Sequence, residues 1–390
     1  MRIKKHLVDL IKIGIGYTAA NVMRLKKGNR DIWLISERRD EAEDNGYHFY
    51  KYVRENHLEQ KAYYIIDKNS DSYKKIEKYK TVIHHNSLKH YIYYFLSDKH
   101  MSAFQFFGVP ETPFLWKLEN KGFIKKKKIF LQHGITKEML PFLTHEKTKY
   151  EMFVCGAKPE FKYIKENYGY PSGAVKYLGF CRFDNLHNYK EKNQILIMPT
   201  WRQWLGMTNE DNNINRDEEN FSSSEYFKTY SSLINSEKLK TILNESNMEL
   251  IFYPHPEMQR FVKLFKCDSN KIKIAKRKEN NLQELLKESK ILITDYSSIA
   301  FDFAYMKKPL IYYQFDQDKY YTNHFAKGYF DCERDGFGPV IKNENEILDY
   351  IEDLLSNNID RQRYITKSEE FFEIYDNNNC KRTYEAIREM

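Results

Sequence analysis

Short apolar runs alternate with helix-patterned stretches along almost the whole chain, and no other property of the sequence restricts the fold so strongly. In the first half the runs fall at 32–36, 62–67, 81–84, 101–104, 129–132, 152–155 and 175–178. In the second half they fall at 195–199, 250–253, 272–275, 291–294, 310–314 and 340–341. Between them lie segments with helical periodicity, such as 46–56, 87–96, 159–168, 226–245, 282–287, 298–306 and 347–355. Apolar, β-branched runs separated by helices make parallel sheets covered on both faces. With 390 residues the chain exceeds one ordinary core, and the polar stretch 185–193 divides the alternation into two α/β blocks. A second polar stretch, 207–224, reads as a mobile loop inside the later block. Residues 360–374 and 376–388 read as helices beyond the last strand.

The charge is unevenly placed. Arg2, Lys4, Lys5, Lys12, Arg24, Lys26, Lys27 and Arg30 face only Asp9 within residues 1–30, so this arm holds seven of the eight net positive charges. The remaining body is close to neutral, whereas a nucleic-acid binder carries its basic face on the folded domain. No nucleic-acid partner is therefore expected. The arm also carries Leu7, Val8, Leu10, Ile11, Ile13, Ile15 and Tyr17, interrupted by Asp9 and Lys12. That run is too short and too broken for a spanning helix or a signal peptide. Two readings stand: a basic amphipathic helix on an anionic membrane surface, or a helix docked on the first domain with its lysines in water. Lys125 to Lys128 read as a solvated loop before a strand. The five cysteines show no CxxC spacing, so neither a metal site nor a redox pair is expected, and reduced thiols in the cytoplasm fit them.

Ligands of open parallel sheets bind at the carboxyl ends of the strands. Reactive residues stand just after four of the runs. His133-Gly134 follows IFLQ, Trp201-Arg202 follows ILIMPT, His255-Pro256 follows LIFYP, and Asp295-Tyr296-Ser297-Ser298 follows ILIT with its final Thr294. A helix beginning near Ser297 or Ser298 has four backbone N–H groups without intrahelical partners. Serine there serves as a cap, or the hydroxyls and N–H groups together bind an anion such as a phosphate, the reading favoured by the neighbouring strand ends. Asp302, four residues after Ser298, steadies the helix start, meets a ligand hydroxyl or is solvated. Arg202 suits either a bidentate phosphate contact or a structural ion pair. Gly134 lets a ligand approach the backbone beside His133, and Pro254 and Pro256 hold the backbone of His255. Gly14-Ile15-Gly16 lacks the third glycine and the preceding strand of a dinucleotide motif. Asp316-Gln317-Asp318 reads as the acidic opening of a helix rather than a metal site.

With these motifs in order, the chain resembles the CDP-glycerol glycerophosphotransferase family, the teichoic acid primases and polymerases with related capsule enzymes. The resemblance rests on Gly179-Phe180-Cys181-Arg182-Phe183-Asp184, PTWR at 199–202, PHP at 254–256 and TDYSSIAFDFAYMKKPLIYYQFD at 294–316. HGI at 133–135, KGYFD at 327–331 and Asp44-Asn45-Gly46-Tyr47 add to it. Ile135-Thr136-Lys137, Tyr253 and Lys327 depart from the family's usual residues. The resemblance implies a GT-B fold, with two Rossmann-like domains facing a central cleft. Implied boundaries are a membrane-surface segment at 1–30, an acceptor-side domain at 31–188, a CDP-alditol domain at 189–358, and helices at 359–390 crossing back to the first domain.

The implied reaction transfers glycerol phosphate or ribitol phosphate from CDP-glycerol or CDP-ribitol to a polyprenyl-linked saccharide or polymer acceptor, with release of CMP. It would take place at the cytoplasmic face of the membrane and without a cofactor. By motif His133 and His255 are the catalytic pair. Gly134, Arg202, Thr294, Asp295, Ser297, Ser298, Asp302 and Lys327 are the substrate-binding candidates. Two other classes compete: a GT-B glycosyltransferase using a nucleotide sugar for surface polysaccharide, and a non-catalytic membrane-surface module built on the basic arm.

Overall fold

The computed structural model describes residues 2–26, 30–105, 108–205, 214–323 and 327–390. The chain folds as two compact units. The first contains residues 1–135, 141–185 and 376–390; the second contains 136–140 and 186–375. The chain thus passes from the second unit to the first at Asp376, later than the expected residue 359.

The first unit is built on β1 (Trp33–Ser36), β2 (Ala62–Ile66), β3 (Val82–His84), β4 (Lys99–Ser102), β5 (Lys127–Phe130), β6 (Met152–Cys155) and β7 (Val175–Tyr177). They form one parallel sheet in the order β3-β2-β1-β4-β5-β6-β7, with Trp33 in register with Ala62 on one side and Lys99 on the other. The second unit holds β8 (Gln194–Ile197), β9 (Glu249–Phe252), β10 (Ile272–Ile274), β11 (Ile291–Thr294), β12 (Leu310–Tyr313) and β13 (Val340–Ile341). Its parallel order is β10-β9-β8-β11-β12-β13. The order reverses between β1 and β4 in one sheet and between β8 and β11 in the other, and such switch points open crevices at the carboxyl ends of strands.

Every expected strand is present, but β4 and β5 begin two residues early. Lysines sit inside both strands because each ammonium has a local partner. Lys99 Nζ lies 3.0 Å from Asp31 Oδ1 and 5.3 Å from the Trp33 ring centre. Lys128 pairs with Glu119 at 3.3 Å, so residues 127 and 128 are strand, not solvated loop. The expected loop at 207–224 is also corrected in part. Residues 206–213 lie outside the described residues, and Ile214–Ser223 is a helix pinned by Phe221, whose ring stacks on Phe261 at 4.1 Å. The expected helix at 226–245 divides at Ser236, whose hydroxyl caps the second piece by accepting the Leu239 N–H at 3.4 Å.

The N-terminal helix, Arg2–Arg24, packs on the helix Leu88–Leu96. Contact is close at Gly16, where a Cβ would come within 2.9 Å of Tyr91 Cβ, and Ala20 is fully buried. The two charges that interrupt its apolar run both make polar contacts, as does Arg24 to the Phe95 carbonyl. Asp9 accepts the Tyr91 hydroxyl at 3.2 Å, and Lys12 donates to the Asn86 carbonyl at 3.0 Å. The docked reading thus describes one face. Leu7, Val8, Leu10, Ile11 and Ile15 stay 48–60 % exposed on another. Among the described residues no helix is long and apolar enough to cross a membrane.

Candidate active site

In the first unit, His133 owes its position to a backbone that is expensive to hold. Gln132, just past β5, has φ +58°, in the left-handed region that non-glycine residues disfavour. Such strain persists where the surroundings over-determine it. Asn45 Nδ2 donates to the carbonyls of Gln132 (2.7 Å) and Leu131 (3.2 Å), while Gln132 Nε2 donates to Val154 O (2.6 Å) and Glu160 Oε1 (3.1 Å). Asn45 is itself placed by the end of β1. Glu37 accepts the N–H groups of Glu43, Asp44 and Tyr47 at 2.9, 2.8 and 2.6 Å. A Cβ on Gly46 would sit 2.7 Å from the Ser36 carbonyl, so only glycine allows this turn. Asn45 Oδ1 accepts the Arg182 N–H at 3.0 Å, and Arg182 Nη1 reaches Asp44 at 2.9 Å.

The His133 ring stacks on Phe104, with centroids 4.3 Å apart and planes at 13°. Its Nδ1 lies 3.2 Å from the Ala103 carbonyl. A carbonyl only accepts, so Nδ1 carries the proton and Nε2 is the lone-pair nitrogen. The side chain reaches the surface, yet its setting disfavours the imidazolium: loss of hydration pushes the pKa down to about 4, and the charges of Arg38 and Arg182 push the same way. Gly134 follows as a buried residue.

In the second unit, β9, β8 and β11 are neighbours, so His255, Trp201-Arg202 and the 295–298 turn emerge side by side at one sheet edge. His255 caps the turns of Pro256–Leu264, its Nδ1 accepting the Glu257 N–H at 3.2 Å. A neutral His255 therefore bears its proton on Nε2, the opposite tautomer from His133. Buried Met258 and Phe261 fasten this segment from below.

The short helix Ile299–Tyr305 starts after Ser298, whose hydroxyl makes no capping bond. Plain capping therefore does not account for Ser298. Ser297 Oγ accepts the Ile299 N–H at a long 3.4 Å. Thr294 serves the sheet: it is buried and donates to the Met198 carbonyl at 2.7 Å. Asp302 is buried on the same helix.

Arg202 and Asp295 are placed differently from the expected ligand contacts. Arg202 is wholly buried between two carboxylates. Its Nη2 donates to Asp295 Oδ2 (2.8 Å) and Asp316 Oδ1 (3.0 Å), its Nε to Asp316 Oδ2 (2.7 Å), and its Nη1 to the Thr200 carbonyl (2.7 Å). The rings of Tyr226, Tyr296 and Tyr320 lie 5.0–5.3 Å from the guanidinium carbon. Burial disfavours the charge, but Asp295 and Asp316 more than offset that and hold the pKa well above the ordinary arginine value. Asp295 Oδ1 is occupied by the N–H groups of Thr200 (2.8 Å) and Tyr296 (2.6 Å). Arg202 and Asp295 thus tie the ends of β8 and β11 together, and the structural ion pair is the reading that holds. Asp316, the first residue of the DxD triplet, is committed to the same arginine.

Lys327 is exposed, 3.2 Å from Asp331 Oδ2 and 4.7 Å from the Tyr321 ring centre. Gly328 presses on the segment 136–140: a Cβ there would meet the Lys137 carbonyl at 2.1 Å. Lys137 is buried and ion-paired with Glu138 at 2.6 Å. Among the described residues, no cluster of His, Cys, Asp and Glu side chains is arranged to hold a metal ion. Asn45, Gln132 and Glu160 are not among the site residues expected from the sequence. Asn45 had a signal in its Asp-Asn-Gly context; Glu160 looks like any helix glutamate.

A family model described as CDP-Glycerol:Poly(glycerophosphate) glycerophosphotransferase matches residues 17–389. The minor teichoic acid biosynthesis protein GgaB of Bacillus subtilis (strain 168) is 35% identical over 365 residues, which is 93% of this chain and 40% of that protein. The chain therefore spans well under half the length of that relative. Among solved structures, a variant of the wall teichoic acid polymerase TagF soaked with CDPG aligns with a TM-score of 0.67 at 15% identity, covering 100% of this chain and 96% of that one. The S. aureus MnaA–UDP co-structure aligns at 0.57 and 13% identity, covering 92% and 96%. At such identities the likeness concerns the fold, which is of the GT-B class with two Rossmann-like parallel-sheet units. The match over nearly the full length decides the relationship: the chain belongs to the CDP-glycerol:poly(glycerophosphate) glycerophosphotransferase family.

Proposed function

We propose that this chain transfers glycerol phosphate, or ribitol phosphate, from a CDP-alditol to a hydroxyl of a lipid-linked or polymeric acceptor, releasing CMP in the synthesis of teichoic acid or a related surface polymer. The observation that carries the reading is the pair of motif histidines, each at a strand's carboxyl end and each fixed by its Nδ1 partner in the opposite tautomer. His133 Nε2 accepts the proton of the acceptor hydroxyl as that oxygen attacks the β-phosphorus. The bond from the β-phosphorus to the bridging oxygen breaks, and CMP leaves. His255 donates from Nε2 to diphosphate oxygens, joined by the hydroxyls of Ser297 and Ser298, with Lys327 as a cationic contact. Thr294, Asp295, Asp302 and Arg202 shape this surface from beneath.

The test is CMP release over CDP-glycerol, CDP-ribitol and UDP-sugars, with and without a lipid-linked acceptor. Acceptor-dependent CMP from a CDP-alditol supports the reading. Turnover of a UDP-sugar with none of the CDP-alditols would sink it and favour the nucleotide-sugar glycosyltransferase.

The exposed apolar face of the N-terminal helix, in the most basic part of the sequence, supports a peripheral seat on an anionic membrane. Leu10→Asp with Ile11→Asp should lower co-flotation with phosphatidylglycerol vesicles by tenfold or more. Unchanged flotation of the folded variant would remove this face from membrane binding.

A further inference from the structure

One cavity of the first unit has no part in the roles assigned above. It is open to solvent and draws its walls from β4, β5, the helix Pro113–Asn120 and residues 147, 148 and 150.

The lining mixes flat rings with fixed polar groups. Tyr150 is buried, and its ring lies flat on Phe130, with centroids 4.9 Å apart and planes at 3°. Trp116, a residue 39% exposed, contributes a second ring. Glu119 is held on both oxygens, accepting the Tyr94 hydroxyl at 2.9 Å and pairing with Lys128 at 3.3 Å. His100 Nε2 sits 2.8 Å from Ser97 Oγ, and burial, with Lys126 second, lowers its pKa well below the ordinary histidine value, leaving it neutral. Lys147, also on the wall, lies 3.4 Å from Glu146. The cavity's charges therefore cancel in pairs.

Those properties select among ligands. A phosphodiester seeks uncompensated cations, and the lysines here are paired. An isoprenoid tail seeks an apolar lining and would strip water from the Glu119–Lys128 pair. A sugar ring presents a C–H face to aromatic rings and hydroxyls to carboxylate, ammonium and imidazole. Phe104 links the cavity to the chemistry, since it lines the wall and stacks on His133 at 4.3 Å.

We propose that this cavity is the acceptor subsite, that it takes a neutral pyranose residue rather than an alditol phosphate unit, and that it presents a hydroxyl of that sugar beside Phe104 to His133 Nε2. The role as acceptor subsite rests on the transferase reading, but sugar binding itself does not. It is tested by saturation-transfer NMR on the full chain with methyl β-glucoside, methyl N-acetyl-β-glucosaminide and glycerol 3-phosphate. A glycoside should receive transfer through its ring C–H protons, glycerol 3-phosphate should not displace it, and Trp116→Ala should reduce the signal at least fivefold. Leu58→Ala, at an exposed residue outside the cavity, should retain it. Glu119→Gln supplies a second variant should Trp116→Ala fail to fold. Absence of transfer to either glycoside, displacement by glycerol 3-phosphate, or full signal in both folded cavity variants overturns the proposal. CMP release from CDP-alditols is read separately, so loss of that activity would count against the transferase reading and not against the sugar site.

Discussion

Replacing His133 by alanine should lower acceptor-dependent CMP release by about 10²–10⁴-fold, the usual range for removing a proton-transfer group. The variant should keep its fold, because the turn at Gln132 is held by Asn45, Val154 and Glu160 and not by the imidazole. The same assignment fixes a pH profile. A base works in its neutral form, and with a pKa near 4 His133 is already neutral at pH 6. The rate should therefore stay level from about pH 8 down to pH 6 and fall only as the pH approaches 4, in the direction of protonation. An acid limb centred near 6.5 would identify an ordinary histidine as the titrating base instead. Near-normal turnover by the alanine variant would remove His133 from the chemistry altogether.

Arg202→Met should destabilise the second unit by about 3–5 kcal/mol, since removing one member of a buried ion-paired set strands the others. Here it strands two carboxylates, Asp295 and Asp316, both buried. Arg202→Lys should rescue little, because an ammonium lacks the planar fork that reaches both acids. Converting both acids to asparagine in the Met background should recover part of the loss, a coupling that a mere cavity effect would not show. Guanidinium melts followed by hydrogen exchange at residues 294–302 provide the measurement. A change under about 1 kcal/mol would mean that the arginine is not the tie between β8 and β11.

The legibility of this chain varies with how local each cause is. Strands β6 and β11 begin and end as the sequence predicts, because apolar side chains buried on both faces leave a plain hydrophobic run. β4 and β5 are read short because Lys99 and Lys128 look solvated until Asp31 and Glu119 are seen beside them. The candidate site follows the same division. His133, His255, Ser297 and Ser298 were found by their positions after strands. For Arg202 the ion pair stands in the sequence only as one of two readings, since its partner Asp316 lies 114 positions away and no local pattern joins them. Nor does the sequence reveal the tautomers, which depend on one carbonyl and one N–H.

The seat of the last helix, Asn379–Arg388, also bears on how the protein is made. Asp184 accepts the N–H groups of Asn379 and Cys380 at 2.8 and 2.9 Å. Gly179, at φ +77°, leaves room for the Asn379 side chain, which a Cβ would strike at 1.7 Å. The piece that closes the first unit is thus translated after the whole of the second. On the ribosome the N-terminal sheet must wait, with the Asp184 carboxylate facing water, until some two hundred further residues have emerged; chain stalled or clipped before residue 376 would leave it unsealed.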